Sequence, residues 1–337
     1  MVQYILRRFA QFVPVFFGVT LLLFFITTLL PGDPVALRSG EKKLPPAVYA
    51  ALRHSYGLDK PWYAQYGDYL GSLSPVHYSS KAGLQFTGPD LGDSISSGRP
   101  VVDIFKETYP YTVRLALTAI AIEILVGIGV GIVAAVRQYS IWDTLATLGT
   151  SILVALPVFW LGLMLQYFFG IILKQWTGGA FYLPISGASG PVFADWVHLI
   201  LPSVTLASVS TAYAARIMRS QLLEVSGQDY VRTAFAKGLG GSAVLWRHEM
   251  KNALIPVVTF IGLDLGVMLS GAILTETVFN WPGVGLTIYQ AIGRRDYPVV
   301  FGGVTLVLFV VLLVNLLVDI SYAFLDPRIR LGGQAEG

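Results

Sequence analysis

Long uncharged runs alternate with polar connections along this chain, and six of the runs are long enough to cross a bilayer. A spanning helix needs roughly 20 mostly apolar residues, because hydrocarbon offers its backbone groups no other hydrogen-bond partner. Phe9 to Gly32 carries no charge for 24 positions. It follows Arg7-Arg8, but it exceeds a signal-peptide core, and Pro31-Gly32-Asp33-Pro34 is no small-residue cleavage site, so it reads as a retained first helix. The second span runs from Tyr111 to Val136, with Arg114 near one end and Glu123 inside. Thr144 to Leu173, uncharged for 30 positions, is the third. Trp196–Ala215, Ala253–Thr275 and Tyr297–Val318 complete the set, the last closed by Asp319. Pro157 and Pro202 read as kinks in their helices. Gly127, Gly129 and Gly131 suit close helix packing. The pattern predicts an all-α integral membrane protein with six transmembrane helices.

Composition agrees. Apolar residues make up 54% of the 337 and charged ones only 13%, about half the charge of an ordinary soluble domain. A conventional soluble enzyme and a disordered chain are both excluded. The formal charge of +3 is too small to imply nucleic acid, and with no cysteine there are no disulfides or thiolate ligands.

The distribution of charge sets the expected orientation, since cytoplasmic loops hold the excess of Lys and Arg. With the N-terminus inside, the inner side collects Arg7, Arg8, Arg137, Arg216, Arg219, Arg232, Lys237, Arg247, Lys251, Arg328 and Arg330. The short outer loops hold only Lys174, Arg294 and Arg295. Both termini are therefore expected to be cytoplasmic. The expected organisation is a cytoplasmic N-terminus with helix 1 (1–32), an extracytoplasmic loop domain (33–107), a transmembrane core of helices 2–6 (108–325) and a cytoplasmic tail (326–337). Short helices are expected in the outer loop around Ala47–Arg53 and Trp62–Leu70. The cytoplasmic segment 216–252 carries six basic and three acidic residues.

No phosphate-binding G-x-x-x-x-G-K-[ST] is present, so ATP is not bound through such a loop here. His54, His77, His198 and His248 are scattered, so no metal site is expected and no catalytic residues are assigned. Segment 216–252 is more informative. Asp229 reads as a helix cap, Tyr230–Lys237 as two helical turns and Gly238 as a left-handed stop. Ser242 then caps a second helix from Ala243 to Asn252. Ala234 and Ala236 keep the first helix slim enough to enter a groove on another protein; a solvated surface turn is the competing reading.

At these residues the chain resembles a known family. Asp229-Tyr-Val-Arg-Thr-Ala-Phe-Ala-Lys-Gly238, followed by Arg247-His-Glu-Met-Lys-Asn-Ala-Leu-Ile-Pro256, is similar to the cytoplasmic coupling loop of the transmembrane permease subunit of peptide-type ABC importers, the dipeptide/oligopeptide permease B family. Ala234 and Gly238 fall on the importer pattern E-A-A-x-x-x-G, although Arg232-Thr233 replace its first two residues. Leu30–Pro34, Tyr56–Pro61, Asp90–Ser94 with Gly98–Pro100, Glu276–Gly285 and Leu325–Arg330 resemble further family markers. Ser74–Thr87 resembles an insertion, placed where a binding protein would dock.

The resemblance implies the type I ABC importer permease fold, without catalytic chemistry or a cofactor of its own. Its implied partners are a homologous second permease subunit, two cytoplasmic ATP-binding subunits and an extracytoplasmic substrate-binding protein. It implies ATPase-coupling roles for Asp229, Tyr230, Arg232, Thr233, Ala234, Lys237 and Gly238. Peptides are the expected substrates; nickel complexes, glutathione or oligosaccharides are alternatives within the family.

Three acidic residues are candidates for a translocation pathway. Asp264 lies 12 uncharged residues from Lys251 and 11 from Glu276, hence near mid-membrane, where a charge costs at least about 2.5–3.5 kcal/mol. It needs a partner, a wet cavity or a proton. Glu123 is similar, and Glu276 stands with them. The bland alternative is an interhelical hydrogen bond. A channel or secondary transporter acting alone competes, although such proteins often show repeated halves, and none is seen here. An intramembrane enzyme would need convergent catalytic groups.

Overall fold

The computed structural model describes residues 2–29, 45–55, 59–74, 76–79, 83–86, 88–188, 196–270 and 272–325. The Leu30–Pro34 marker, Tyr56–Leu58, the tail from 326 onward and the side chain of Asp319 lie outside the described residues. In order, the elements are α1 (Val2–Leu29), α2 (Pro46–Ser55), α3 (Trp62–Leu73), β1 (Val76–Ser79), β2 (Gly83–Phe86), α4 (Val101–Val136), α5 (Ile141–Ala155), α6 (Val158–Trp176), α7 (Val197–Ser226), α8 (Asp229–Ala236), α9 (Gly241–Leu269), α10 (Ile273–Val278), α11 (Val284–Gly293) and α12 (Tyr297–Leu325). Among the described residues six helices, α1, α4, α6, α7, α9 and α12, are long and apolar enough to cross a membrane. The six-span expectation holds.

Two boundaries differ from the sequence reading. The run Thr144–Leu173 is not one span: Leu156 is extended (φ −85°, ψ 133°), Pro157 caps a new helix, and only α6 is long enough to cross. Pro157 does more than kink, because the proline ring disfavours helical backbone at the residue before it and so stops α5 at Ala155. Conversely, 243–252 and the fifth span are one helix. α9 starts at Gly241, carries Pro256 inside, and has a π-helical stretch at Leu245–Glu249. Ser242 is inside that helix and does not cap it. The expected helices of the loop between spans one and two appear as α2 and α3. Within Ser74–Thr87 the described strands pair antiparallel, Val76 opposite Phe86 and Ser79 opposite Gly83.

The chain divides into two compact units. One takes the described residues of Met1–Arg8, Tyr109–Leu286 and Val310–Gly337. Its core includes a close seam between α4 and α7, where two glycines face α7. A Cβ added at Gly127 would lie 2.9 Å from Ala214 Cβ, and one at Gly131 2.6 Å from Met218 Cβ. Small residues earn such seams in a membrane, where packing and not water exclusion drives helix association. Gly129, by contrast, meets nothing. Met218, Leu222, Ala253, Val257 and Ile261 continue the core toward α9.

The same unit fixes α5 at its start. Ser140 accepts from Asp143 N, while Asp143 Oδ2 accepts from Tyr139 N at 3.0 Å, a reciprocal arrangement close to a capping box.

The other unit takes the described residues of Phe9–Thr108 and Thr287–Phe309. There Phe24 packs its ring against Tyr66 and Tyr69, and Thr20 Oγ1 lies 2.9 Å from the Tyr66 hydroxyl. Asp296 anchors the loop before α4. Its carboxylate accepts from Ser94 Oγ and Ser96 Oγ, both at 2.6 Å, and from the backbone N–H groups of Ile95 and Ser96. Burial alone raises the Asp296 carboxyl, but these four bonds outweigh it and hold it below its ordinary value.

Candidate functional site

The segment between α7 and α9 folds as its sequence suggests, with one shift of boundary. Gln228, extended at φ −76° and ψ 149°, is the residue before the helix, so Asp229 is the first helical residue and not the cap. Gln228 O accepts from Val231 N and Arg232 N, and Asp229 O accepts from Thr233 Oγ1 at 2.8 Å. The helix stops where expected. Gly238 takes φ +82°, its N–H donates to Phe235 O at 2.9 Å, and Leu239 N donates to Ala234 O. That left-handed position suits a residue without Cβ.

The faces of α8 then sort by period. Val231 and Ala234, three apart, are buried in the core shared with Val244 and Met250. Asp229, Tyr230, Arg232, Thr233, Phe235, Ala236 and Lys237 are exposed. Ala234, expected to pack into another protein, therefore packs into its own chain: it retains 5% of its surface. Phe235, 51% exposed, is the outward apolar residue that the sequence reading missed. Spacing does not announce it, because Phe235 stands four residues from Val231, on the side of the helix that periodicity groups with the buried pair. Asn252 Nδ2 donates to the Tyr230 hydroxyl at 2.8 Å, tying α8 to α9.

Glu123 and Asp264 come together from α4 and α9 and interact directly. Glu123 is fully buried, and it opens a π-helical stretch running to Ile128. Among the described residues no donor reaches either of its oxygens, nor Asp264 Oδ2.

Glu276 does not join them. It is fully buried in α10, where Oε1 accepts from Thr112 Oγ1 at 2.8 Å and Oε2 from Leu286 N at 2.9 Å. Thr112 Oγ1 in turn accepts from Val284 N, and Trp281 Nε1 donates to Tyr111 O. Gly283 and Gly285 make room: a Cβ at either would lie within 3 Å of the Glu276 side chain. Burial pushes the Glu276 carboxyl up, and its hydrogen bonds pull it part of the way back. This is a brace holding α10 and α11 to α4.

Comparison with known proteins places these features in context. Residues 127–331 match the family model described as "Binding-protein-dependent transport system inner membrane component", and residues 1–116 match its N-terminal companion. The di/tripeptide transport system permease protein DppB of Pseudomonas aeruginosa (strain UCBPP-PA14) is 40% identical over 98% of this chain and 99% of its own length. The dipeptide transport system permease protein DppB of Escherichia coli (strain K12) is also 40% identical, with the same coverage. Among solved structures, the MetNI methionine ABC transporter aligns with a TM-score of 0.52 at 16% identity, covering 67% of this chain and 97% of that one. That likeness is one of fold.

Proposed function

Because this chain belongs to the family of binding-protein-dependent transport system inner-membrane components, we propose that it is the permease subunit of an ATP-driven importer that carries di- or oligopeptides inward. The chain is a multi-pass inner-membrane protein. The peptide reading is supported by relatives named for di- and tripeptide transport at 40% identity. In this reading a second, homologous permease subunit completes the path, two ATP-binding subunits sit on the cytoplasmic side, and a binding protein delivers substrate from outside. Both termini and the segment 216–252 are cytoplasmic, as the Lys/Arg asymmetry suggests.

The observation that carries coupling is the form of α8. It is a short helix with one face sealed into its own core and a mixed aromatic and basic face turned out. A rigid, anchored helix can transmit motion, whereas a flexible loop dissipates it. In the proposal Tyr230, Arg232, Thr233, Phe235 and Lys237 meet an ATPase, Asp229 borders that face, and Ala234 and Gly238 hold the helix in its place.

The test is uptake of a labelled dipeptide into proteoliposomes holding the complete transporter, with and without ATP. Wild type should require ATP. Gly238→Val forces a β-branched residue into a left-handed position, at a cost of about 1–2 kcal/mol, and should insert normally yet lose most substrate-stimulated ATP hydrolysis. ATP-independent uptake, or full stimulation in Gly238→Val, would overturn the reading.

A further inference from the structure

We propose that Glu123 and Asp264 form a cation site inside the membrane, sharing one proton when empty and receiving the ammonium group of a substrate as it passes. This rests on the peptide-permease reading and deepens it, since it requires of the substrate a free amino group.

The two carboxyls face one another. Both oxygens of fully buried Glu123 and Oδ2 of Asp264 lie out of solvent without a hydrogen-bond donor. Among the described residues of the helices that carry and flank them, no basic side chain compensates them. On α4 Glu123 is the only charged residue between Arg114 and Arg137, and on α9 Asp264 is the only one beyond Lys251. Helix α7, which packs along the π-helical stretch of α4, has no charged residue between His198 and Arg216 and brings hydroxyls. Of these, Ser208 Oγ donates to Thr205 O, while Thr211 Oγ1 is buried and unpartnered. Helix α12 meets α9 at Gly262 and Gly266 through Val314, Asn315 and Val318, and has no charged residue between Asp296 and Asp319.

Two negative charges side by side in a medium of low dielectric repel strongly, and unpaired acids there are expensive. One shared proton removes that repulsion and leaves the pair with a single negative charge. A single ammonium is its complement in charge, and its three N–H donors match the orphaned oxygens. Neutral or anionic groups gain nothing from such a site. The π-helical stretch that opens at Glu123 points the same way, because such irregular turns concentrate at functional positions.

The experiment compares Glu123→Gln, Asp264→Asn and the double variant with wild type in the complete reconstituted transporter. Each is given a dipeptide with a free amino end and its N-acetylated form. The ratio of variant to wild-type uptake cancels any selection by the binding protein. The double variant should lose roughly tenfold to a hundredfold in uptake of the free-amine peptide, the worth of a charge-assisted contact, and nothing for the acetylated one. Equal losses for both peptides, or none, would overturn the site. Infrared spectra of the purified full-length chain in H2O and D2O give a second reading. Wild type should show a protonated-carboxyl band at neutral pH that the double variant lacks, and an unchanged band would overturn the shared proton. If wild type carries no peptide at all, the permease reading fails, and the infrared band still decides whether the pair holds a proton.

Discussion

Arg219 grips Asp143 at two points, its Nε donating to Oδ1 at 2.6 Å and its Nη2 to Oδ2 at 2.8 Å. The pair ties α7 to the first turn of α5, and Asp143 also accepts from the backbone of Tyr139, which is held at φ +62°. A planar guanidinium suits this two-point geometry, and an ammonium does not.

The Arg219 guanidinium lowers the Asp143 carboxyl to about 2. A carboxyl lowered on folding contributes stability above its unfolded value of about 3.9 and loses it as pH falls toward the folded value. The difference in thermal stability between wild type and Asp143→Asn should therefore be constant near neutrality and shrink from about pH 4 to about pH 2. Arg219→Lys should recover only part of the wild-type melting temperature at pH 7. A difference that grows in acid would show that the pair is not what the carboxyl stabilises.

Neighbouring positions on α8 should behave in opposite ways. Phe235→Ala removes an exposed ring and should change stability by less than about 0.5 kcal/mol, while reducing substrate-stimulated ATP hydrolysis in the complete transporter. Ala234→Glu puts an uncompensated charge into the core with Val231 and should cost on the order of 3–5 kcal/mol, read as lost accumulation in the membrane. Normal accumulation of Ala234→Glu would mean that α8 is not seated as described.

Around Glu276 the expected defect is in stability. Gly285→Ala places a Cβ 2.8 Å from Ile273 Cα, and backbone yields little, so a loss of about 1–3 kcal/mol is expected. Glu276→Gln keeps one acceptor oxygen where Thr112 and Leu286 both donate, leaving one donor unpaired, for about 1–3 kcal/mol. Thermal denaturation of the detergent-solubilised chain measures both. An unchanged midpoint in both variants would remove the brace.

Orientation is open to labelling, because the chain has no cysteine of its own. Gln175, in the last turn of α6, and Ser242, in the first turn of α9, are both exposed, and the expected topology puts them on opposite sides of the membrane. An impermeant thiol reagent added to intact cells should label Gln175→Cys and spare Ser242→Cys. The reverse pattern would invert the topology.

Uncharged length made the six spans legible, since the bilayer imposes that requirement on every spanning helix. Where local chemistry decided, the reading succeeded or slipped by a residue: Gly238 stops α8 as its backbone freedom suggests, while Gln228 takes the boundary expected of Asp229. What the sequence left unread is tertiary. Nothing local distinguishes Pro157, which separates α5 from α6, from Pro202 and Pro256, which lie inside helices. Thr112, more than 160 positions from Glu276, supplies one of its hydrogen bonds, a contact that no local pattern reports. The meeting of Glu123 and Asp264 depends on helix packing, which periodicity does not report.

Where Gly127 and Gly131 meet α7 the approach is close: a Cβ would lie 3.1 Å from Thr211 O at the first and 2.7 Å from Ala215 O at the second, which leaves little room for sliding. Such a joint transmits displacement without shear, so α4 and α7 behave as one beam. Any change of shape in this part of the molecule must then be taken up at more yielding places, such as the Leu156–Pro157 break. In the proposed transporter, a load applied at the Gln228 end of α7 would be delivered along that seam toward the level of Glu123.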